Sequence, residues 1–272
     1  MMNINTNVSA LNAQKNLSRN QKNLASSFSR LSSGLRVNSA ADDAAGLAVS
    51  EGMKSQVRSY AVAERNAADG ISMAQTAEGA LGEVHSVLGR MRELAMQSAN
   101  GTLTNSDRSH IDTEFTALQS EISRIQGASS FNGVSVIGAG TASVDFQVGL
   151  GTSTNDTISV TFGGVGLTTV LASTTGVGTA TGASTSLARI DAAISTVSGS
   201  RAGFGAAMNR LDVASSNVQT MRINLEAASS RITDVDVAAE TSRLSRNQVL
   251  TQAGVSVLAQ ANQLPQMAFG LI

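Results

Sequence analysis

The C-terminal end of the chain carries a heptad repeat, and this repeat constrains the fold more than any other feature. Large apolar side chains recur every seven residues with small residues on the alternate positions: Leu250, Val257, Leu264 and Leu271, with Gly254, Ala261 and Ala268 between them. This is the a/d pattern of a coiled coil, and the small residues allow a second backbone to approach closely. One such helix buries too little apolar surface to offset the entropy of ordering it. The segment therefore needs a partner.

The N-terminal end carries a second marginal amphipathic helix. Its apolar residues follow helical spacing, with a one-residue slip between Gln14 and Leu17. Since the two weak ends have similar lengths and similar apolar stripes, we predict that they pair with each other. We further predict an assembly seam formed by apolar residues from both ends: Ile4, Val8, Leu11, Leu24, Leu31, Leu250, Val257, Leu264 and Leu271.

Two long helical zones lie inside these ends. Apolar side chains recur at helical spacing from Met53 to Asn100, and they alternate three and four apart from Leu187 to Leu225. The single proline of the chain, Pro265, lies outside both zones, so nothing prevents long helices there. The second zone carries Arg222 at a seam position, where the neighbouring Met221 is an alternative occupant.

The middle of the chain has a different pattern. Thr104 and Asp107 form a capping-box pair that predicts the start of a third helix. Apolar residues then alternate with period two between Val134 and Phe162, which indicates short strands of a small hairpin. Residues Gly163–Ser186 are mainly Gly, Thr, Ala and Ser, so either a flexible linker or a small exposed β-turn region is expected.

Composition excludes several classes of function. Net charge is −1 without a long basic run, so nucleic acid is an unexpected partner. The absence of cysteine removes disulfides, thiolate catalysis and Cys-based zinc sites, and it fits an exported protein. Neither a secretory signal peptide nor an apolar run long enough to span a membrane is visible. Export would thus use a route without a cleaved signal.

The side chains able to do chemistry do not form a convincing site. Asp42 and Asp43 precede a predicted helix without a neighbouring third ligand, so capping of that helix is favoured over metal binding. His110 beside Ser109 and Asp112 is a poor triad, because residues this close in sequence rarely converge on one reaction centre. We expect no catalytic, cofactor or metal site, and hence no enzyme and no cofactor.

Many ordered motifs resemble those of bacterial flagellin, the subunit of the flagellar filament. They occur in both ends and in both long helical zones: NINTN from Asn3, SSGLRVN from Ser32, DDAAGL from Asp42, DGIS from Asp69, QTAEGAL from Gln75, REL from Arg92, RI and DVD between Arg231 and Asp236, QAG from Gln252 and LAQANQ from Leu258. The resemblance covers nearly everything outside Gly163–Ser186.

The expected fold is mainly α, with long antiparallel helices and a terminal coiled coil in a folded-back rod, and with a small β-hairpin region mid-chain. By resemblance, residues 1–42 and 236–272 form an inner-core coiled-coil domain. Residues 43–163 and 187–235 form a helical rod domain with the small β element. Residues 164–186 are expected as an outer loop in place of the larger outer domains of some relatives.

The resemblance also implies partners and a location. Flagellins leave the cell unfolded through the flagellar type III export apparatus, guided by an export chaperone. They polymerise under a filament cap, next to junction proteins, into an extracellular filament for swimming motility. An animal Toll-like receptor recognises the family, and the matching positions here are Arg90, Leu94 and Glu114, whereas Gly89 and Thr113 depart from the family pattern.

Three alternatives differ in the features they require. A hook–filament junction protein shares the architecture and differs in whether purified subunits form long filaments. A coiled-coil signalling rod of the chemoreceptor type needs a membrane helix or a tight helical tip at mid-chain, where this chain has β-period segments. Another coiled-coil assembly protein would share only the heptads.

Overall fold

The chain is mainly α-helical. The computed structural model describes residues 7–172 and 174–269, and it describes side chains up to residue 263. The long helices are α1 (Val8–Ser33), α2 (Ala44–Ser98), α3 (Asn105–Ala128), α5 (Ala180–Thr233) and α6 (Val237–Phe269), with a one-turn helix α4 (Thr168–Leu171). The strands are β1 (Ser130–Phe131), β2 (Val134–Ser135), β3 (Thr141–Gln147) and β4 (Thr157–Gly163). This composition confirms the predicted fold class.

The described residues form two compact units. The terminal unit contains the described residues up to Val57 and from Ile223 onward, and the helical unit contains Arg58–Arg222. The unit boundaries fall inside α2 and α5, so each of these helices contributes residues to both units.

In the terminal unit, α1 and α6 pack against each other, as predicted for the two ends of the chain. The Asn7 side chain caps α1 by accepting from the backbone N–H of Ala10 at 3.0 Å, and it donates to the carbonyl of Ala261 at 2.8 Å. Gly254 allows close approach, since a Cβ there would lie 3.3 Å from Cδ1 of Leu17.

The connections at the inner ends of α1 and α6 pair with each other. Gly34 ends α1 in the left-handed conformation with φ of 72°. Its carbonyl accepts from the N–H of Val235 at 3.0 Å, and the N–H of Arg36 donates to the carbonyl of Thr233 at 2.6 Å. These backbone bonds hold the two connections side by side.

The paired aspartates Asp42 and Asp43 order the turn before α2, as the capping interpretation predicts. Asp43 accepts from the N–H of Gly46 at 2.8 Å. The Asp42 carboxylate accepts from the hydroxyl and the N–H of Ser39 and pairs with Arg30 at 3.3 Å. The Ser39 hydrogen bonds are the main reason that the pKa of Asp42 lies below its ordinary value.

The core of the helical unit lies between α2, α3, α5 and the β3–β4 hairpin. Its fully buried side chains follow the predicted helical stripes, and Phe115 and Ile122 of α3 are among them. β3 and β4 pair antiparallel, and alternate residues of β4 face inward, including Ile158, Val160 and Phe162. The period-two prediction for this region is confirmed.

The two arginines in the α5 stripe are accommodated by acids on α2. Arg201 pairs with Glu78 at 2.5 Å, and Arg222 lies 3.4 Å from Glu64. Met221 is 41% exposed, so the alternative that it replaces Arg222 on the inner face is wrong.

Residues Gly163–Ser186 differ from the expected linker or exposed turn region. They contain α4 and the first turns of α5, and their apolar side chains are buried, among them Val165, Leu167, Val170 and Val177. Gln119 donates to the carbonyls of Val170 and Thr175 at 2.7 and 3.0 Å. The low-complexity composition hid these few apolar anchors, which tie the segment to α3.

Candidate assembly surface

The α1–α6 pair uses the small residues of the C-terminal heptad as its inner face. The less exposed positions of α6 alternate four and three apart: Glu240, Leu244, Asn247, Thr251, Gly254, Leu258 and Ala261. Those of α1 follow a similar pattern: Ala10, Ala13, Leu17, Asn20, Leu24, Ser27 and Leu31. Gly254 and Ala261 lie on this inner face, where small side chains let the backbones of α1 and α6 approach each other.

This register leaves most large residues of the predicted seam on the outside. Leu24 and Leu31 are half-buried, whereas Val8, Leu11 and Val257 are each 56% exposed and Leu250 is 44% exposed. These four residues are thus largely exposed in the single chain, and their part in an assembly seam stays a prediction. Of the remaining predicted residues, Ile4, Leu264 and Leu271 have side chains outside the described part of the chain.

The exposed apolar side chains of α1 and α6 form what we call the outer apolar surface. Its members are Val8, Leu11, Phe28, Val237, Val249, Leu250, Val255 and Val257. Several are neighbours on one helix face: Val8 and Leu11 are three residues apart, and Leu250 and Val257 are two turns apart. Apolar side chains clustered in this way on a helix pair are typical of a protein–protein contact surface.

The inner face also contains polar residues that the sequence-based prediction missed. Glu240 is 3% exposed and Ser27 is 4% exposed, and both lie among the inner positions of the helix pair. The missed signal was the heptad itself, because Glu240 and Asn247 continue the seven-residue spacing of Gly254 and Ala261 toward the N-terminal end of α6.

The three positions matched to receptor recognition have different environments. Arg90 pairs with Glu114 at 2.8 Å and with Glu93 at 2.9 Å, on the surface of the helical unit. These hydrogen bonds, with that to Glu93 largest, raise the pKa of Arg90 above its ordinary value. Leu94 is 2% exposed and belongs to the core.

Asp112, one of the candidate chemical groups, has a structural partner. The carboxylate of Asp112 accepts from the N–H of Val177 at 2.7 Å, so it orders the segment before α5. Within residues 7–172 and 174–269, no three potential ligands cluster as a metal site would require. Over the same residues, no helix combines the length and hydropathy that crossing a membrane demands.

Comparison with known proteins gives consistent matches over nearly the whole chain. A family model described as the bacterial flagellin N-terminal helical region matches residues 4–140, and one described as the C-terminal helical region matches residues 187–272. Flagellin of Halalkalibacterium halodurans is 41% identical over 269 residues, covering 99% of each chain. The flagellar filament core protein flaB2 of Brachyspira hyodysenteriae is 37% identical over 282 residues, also covering 99% of each.

A solved structure has a related fold. The crystal structure of Bacillus cereus flagellin superposes with a TM-score of 0.51 at 32% sequence identity, over 61% of this chain and 94% of that one. The long helices and the helical core of the chain are consistent with these matches. The chain belongs to the bacterial flagellin family and is a structural subunit of the flagellar filament, not an enzyme.

Proposed function

We propose that the outer apolar surface is the main adhesive surface of polymerisation, and that α1 and α6 become ordered when neighbouring copies cover it. The observation that carries this proposal is the exposure of Val8, Leu11, Leu250 and Val257, which is 44–56% in the single chain. Covering such side chains removes apolar area from water at about 25 cal/mol per Å². The predicted residues Ile4, Leu264 and Leu271 would extend the same surface.

The weakness of the α1–α6 contact supports coupled folding and assembly. Its inner face combines half-buried leucines with small and polar residues: Gly254, Ala261, Ser27, Asn247 and Glu240. Such a face buries less apolar surface than a seam of large apolar residues, and helices gain most of their stability from packing of an apolar face. A pair with many small and polar residues inside, and several large apolar residues outside, therefore gains its missing stability from neighbouring subunits.

This arrangement suits a subunit that crosses a narrow export channel before it assembles. We propose that the chain uses the flagellar type III export apparatus and that an export chaperone holds its C-terminal helix. We also propose that it is inserted beneath the filament cap, beyond the junction proteins. Family resemblance and the exposed apolar face of α6 support these partners. We also propose that residues 1–42 and 236–272 act as the inner core of the filament, with residues 43–163 and 187–235 as the rod around it and 164–186 as the outermost segment.

We further propose that Arg90 and Glu114 contribute to contact with an animal Toll-like receptor. Both side chains are about half exposed, at 51% and 47%. Leu94 would support this surface from beneath, because it is buried in the helical core.

The test of the adhesive surface is a charge placed within it. Val257→Asp should abolish filament formation by the purified subunit, as seen by electron microscopy and sedimentation, because burying an unpaired carboxylate is strongly unfavourable. The helical content and thermal unfolding of the helical unit should be unchanged.

Ser256→Asp is the matched control, since it adds the same charge at the adjacent exposed position of α6. We expect it to polymerise. Normal filaments from Val257→Asp would show that the outer apolar surface is not the adhesive surface. Leu264→Asp is expected to behave like Val257→Asp.

A further inference from the structure

The α1–α6 pair contains a polar cleft of about 390 Å³ where an apolar seam would be expected. Its lining includes Ser27 and Arg30 from α1, and Glu240, Arg243, Arg246 and Asn247 from α6. The cleft lies wholly within the terminal unit. Its Arg243 precedes Leu258 on α6 by about four helical turns.

The charges of this cleft are unbalanced toward the positive. Glu240 is buried and pairs with Arg243 at 3.2 Å. Arg30 pairs at 3.3 Å with Asp42, a residue that does not line the cleft. Arg246 is exposed and has no ion pair or hydrogen bond among the residues that the structure describes. The single chain therefore leaves one guanidinium of the cleft without a counter-charge.

Arg30 supplies a second sign of an incomplete site. Its Nε is buried and lacks a hydrogen-bond partner within the described chain. Buried guanidinium donors are normally paired, and a carboxylate is the group that best matches a guanidinium fork. The cleft thus has the charge to receive one additional carboxylate, and the exposed guanidinium of Arg246 is the donor that such a group can reach.

We propose that this cleft binds an acidic side chain from the helical unit of a second copy of the chain. The inference rests on the proposed polymerisation, and it names a polar contact that fixes the position of one copy on the next. Three carboxylates of the helical unit are exposed and have neither an ion pair nor a hydrogen bond among the described residues: Asp69, Glu83 and Asp212. Because the cleft belongs to the terminal unit and the acidic residue to the helical unit, the two copies use different surfaces. The contact is therefore head-to-tail and generates an open polymer instead of a closed dimer.

Substitution of Arg246 tests the cleft by its effect on the critical concentration for polymerisation. We expect Arg246→Lys to stay within about twofold of the parent protein, Arg246→Gln to raise it about fivefold and Arg246→Glu to raise it at least tenfold. If the substitutions acted only on the stability of the single chain, Arg246→Glu would not have the largest effect. The new carboxylate would lie in the same cleft as Arg243 and Arg30, so its charge would be favourable within one chain.

Charge reversal at the partner acid identifies the occupant. In the Arg246→Glu background, one of Asp69→Lys, Glu83→Lys or Asp212→Lys should restore the critical concentration to within about threefold of the parent protein. Unchanged polymerisation of Arg246→Glu would overturn the inference, and so would a loss that none of the three reversals recovers.

The parent protein separates this inference from the proposed function. If the parent protein itself forms no filaments, the proposed polymerisation fails. If the parent protein and Arg246→Glu polymerise equally well while Val257→Asp does not, only the cleft inference fails.

Discussion

At the scale of single residues, Arg108 shows how the helical unit joins two of its helices. It lies in the first turn of α3 and is 7% exposed. Its Nε donates to the carbonyl of Ser98 and one terminal nitrogen donates to the carbonyl of Asn100, both at 2.9 Å. A cation here satisfies carbonyls at the C-terminal end of α2, where the helix dipole favours positive charge.

Replacement of Arg108 by Met should therefore destabilise the helical unit by about 2–4 kcal/mol, because the carbonyl of the buried Ser98 loses its charged donor. The measurement is thermal or urea unfolding of the monomer. Arg124→Met is the control on the same helix. The Arg124 side chain is 65% exposed, and among the described residues it pairs only with the nearby Glu121, so its loss should change stability by less than about 0.5 kcal/mol. Equal effects of the two substitutions would contradict this role for Arg108.

Residue-scale features were predictable where the interaction is local in sequence. The Thr104–Asp107 capping box and the Asp43 cap connect residues three apart, so their spacing alone predicted them. Arg108 reaches back ten residues across a turn to Ser98. Its role depends on the path of residues 99–104, which no residue spacing specifies.

At the scale of elements, pairing of the two ends was predictable but the face used for pairing was not. A heptad containing both large and small residues offers two possible faces, and apolarity alone favours the large one. The structure places Gly254 and Ala261 inside and leaves Leu250 and Val257 outside. One face contacts the same chain, and we propose that the other is covered by neighbouring copies in the filament.

The segment from 164 to 179 is an element that composition concealed. Its Gly, Thr and Ser content is typical of a linker, yet Leu167 and Val170 are fully buried, and Thr175 is 3% exposed. Only a few apolar residues are needed to anchor a short segment when side chains such as Gln119 and Arg189 bind its backbone and hydroxyl groups.

Leu167→Ala should consequently reduce the stability of the helical unit by about 2–4 kcal/mol, as expected for truncation of a fully buried leucine. The unfolding midpoint of the monomer and the rate of proteolysis within residues 164–179 are the readouts. Leu150→Ala is the matched control, because Leu150 is 39% exposed and should cost less than about 1 kcal/mol. Unchanged stability of Leu167→Ala would support the linker interpretation instead.

At the scale of the whole molecule, the two units have different kinds of core. The helical unit buries large side chains such as Phe115, Leu81, Met91 and Phe162. On the inner face of the α1–α6 pair, small and polar residues alternate with half-buried leucines such as Leu17 and Leu258, and several large apolar side chains of the pair are exposed. We therefore propose that the chain has a stable folded body and two ends whose stability depends on neighbouring subunits.

Hydrogen exchange of monomer and filament measures directly whether α1 and α6 fold when the subunits assemble. In the monomer, backbone amides of α1 and α6 should exchange nearly as fast as in an unfolded chain, while those of α3 and the central turns of α2 and α5 are protected. In the filament, α1 and α6 should become strongly protected. Strong protection of α1 and α6 already in the monomer would contradict the claim that assembly is their folding step.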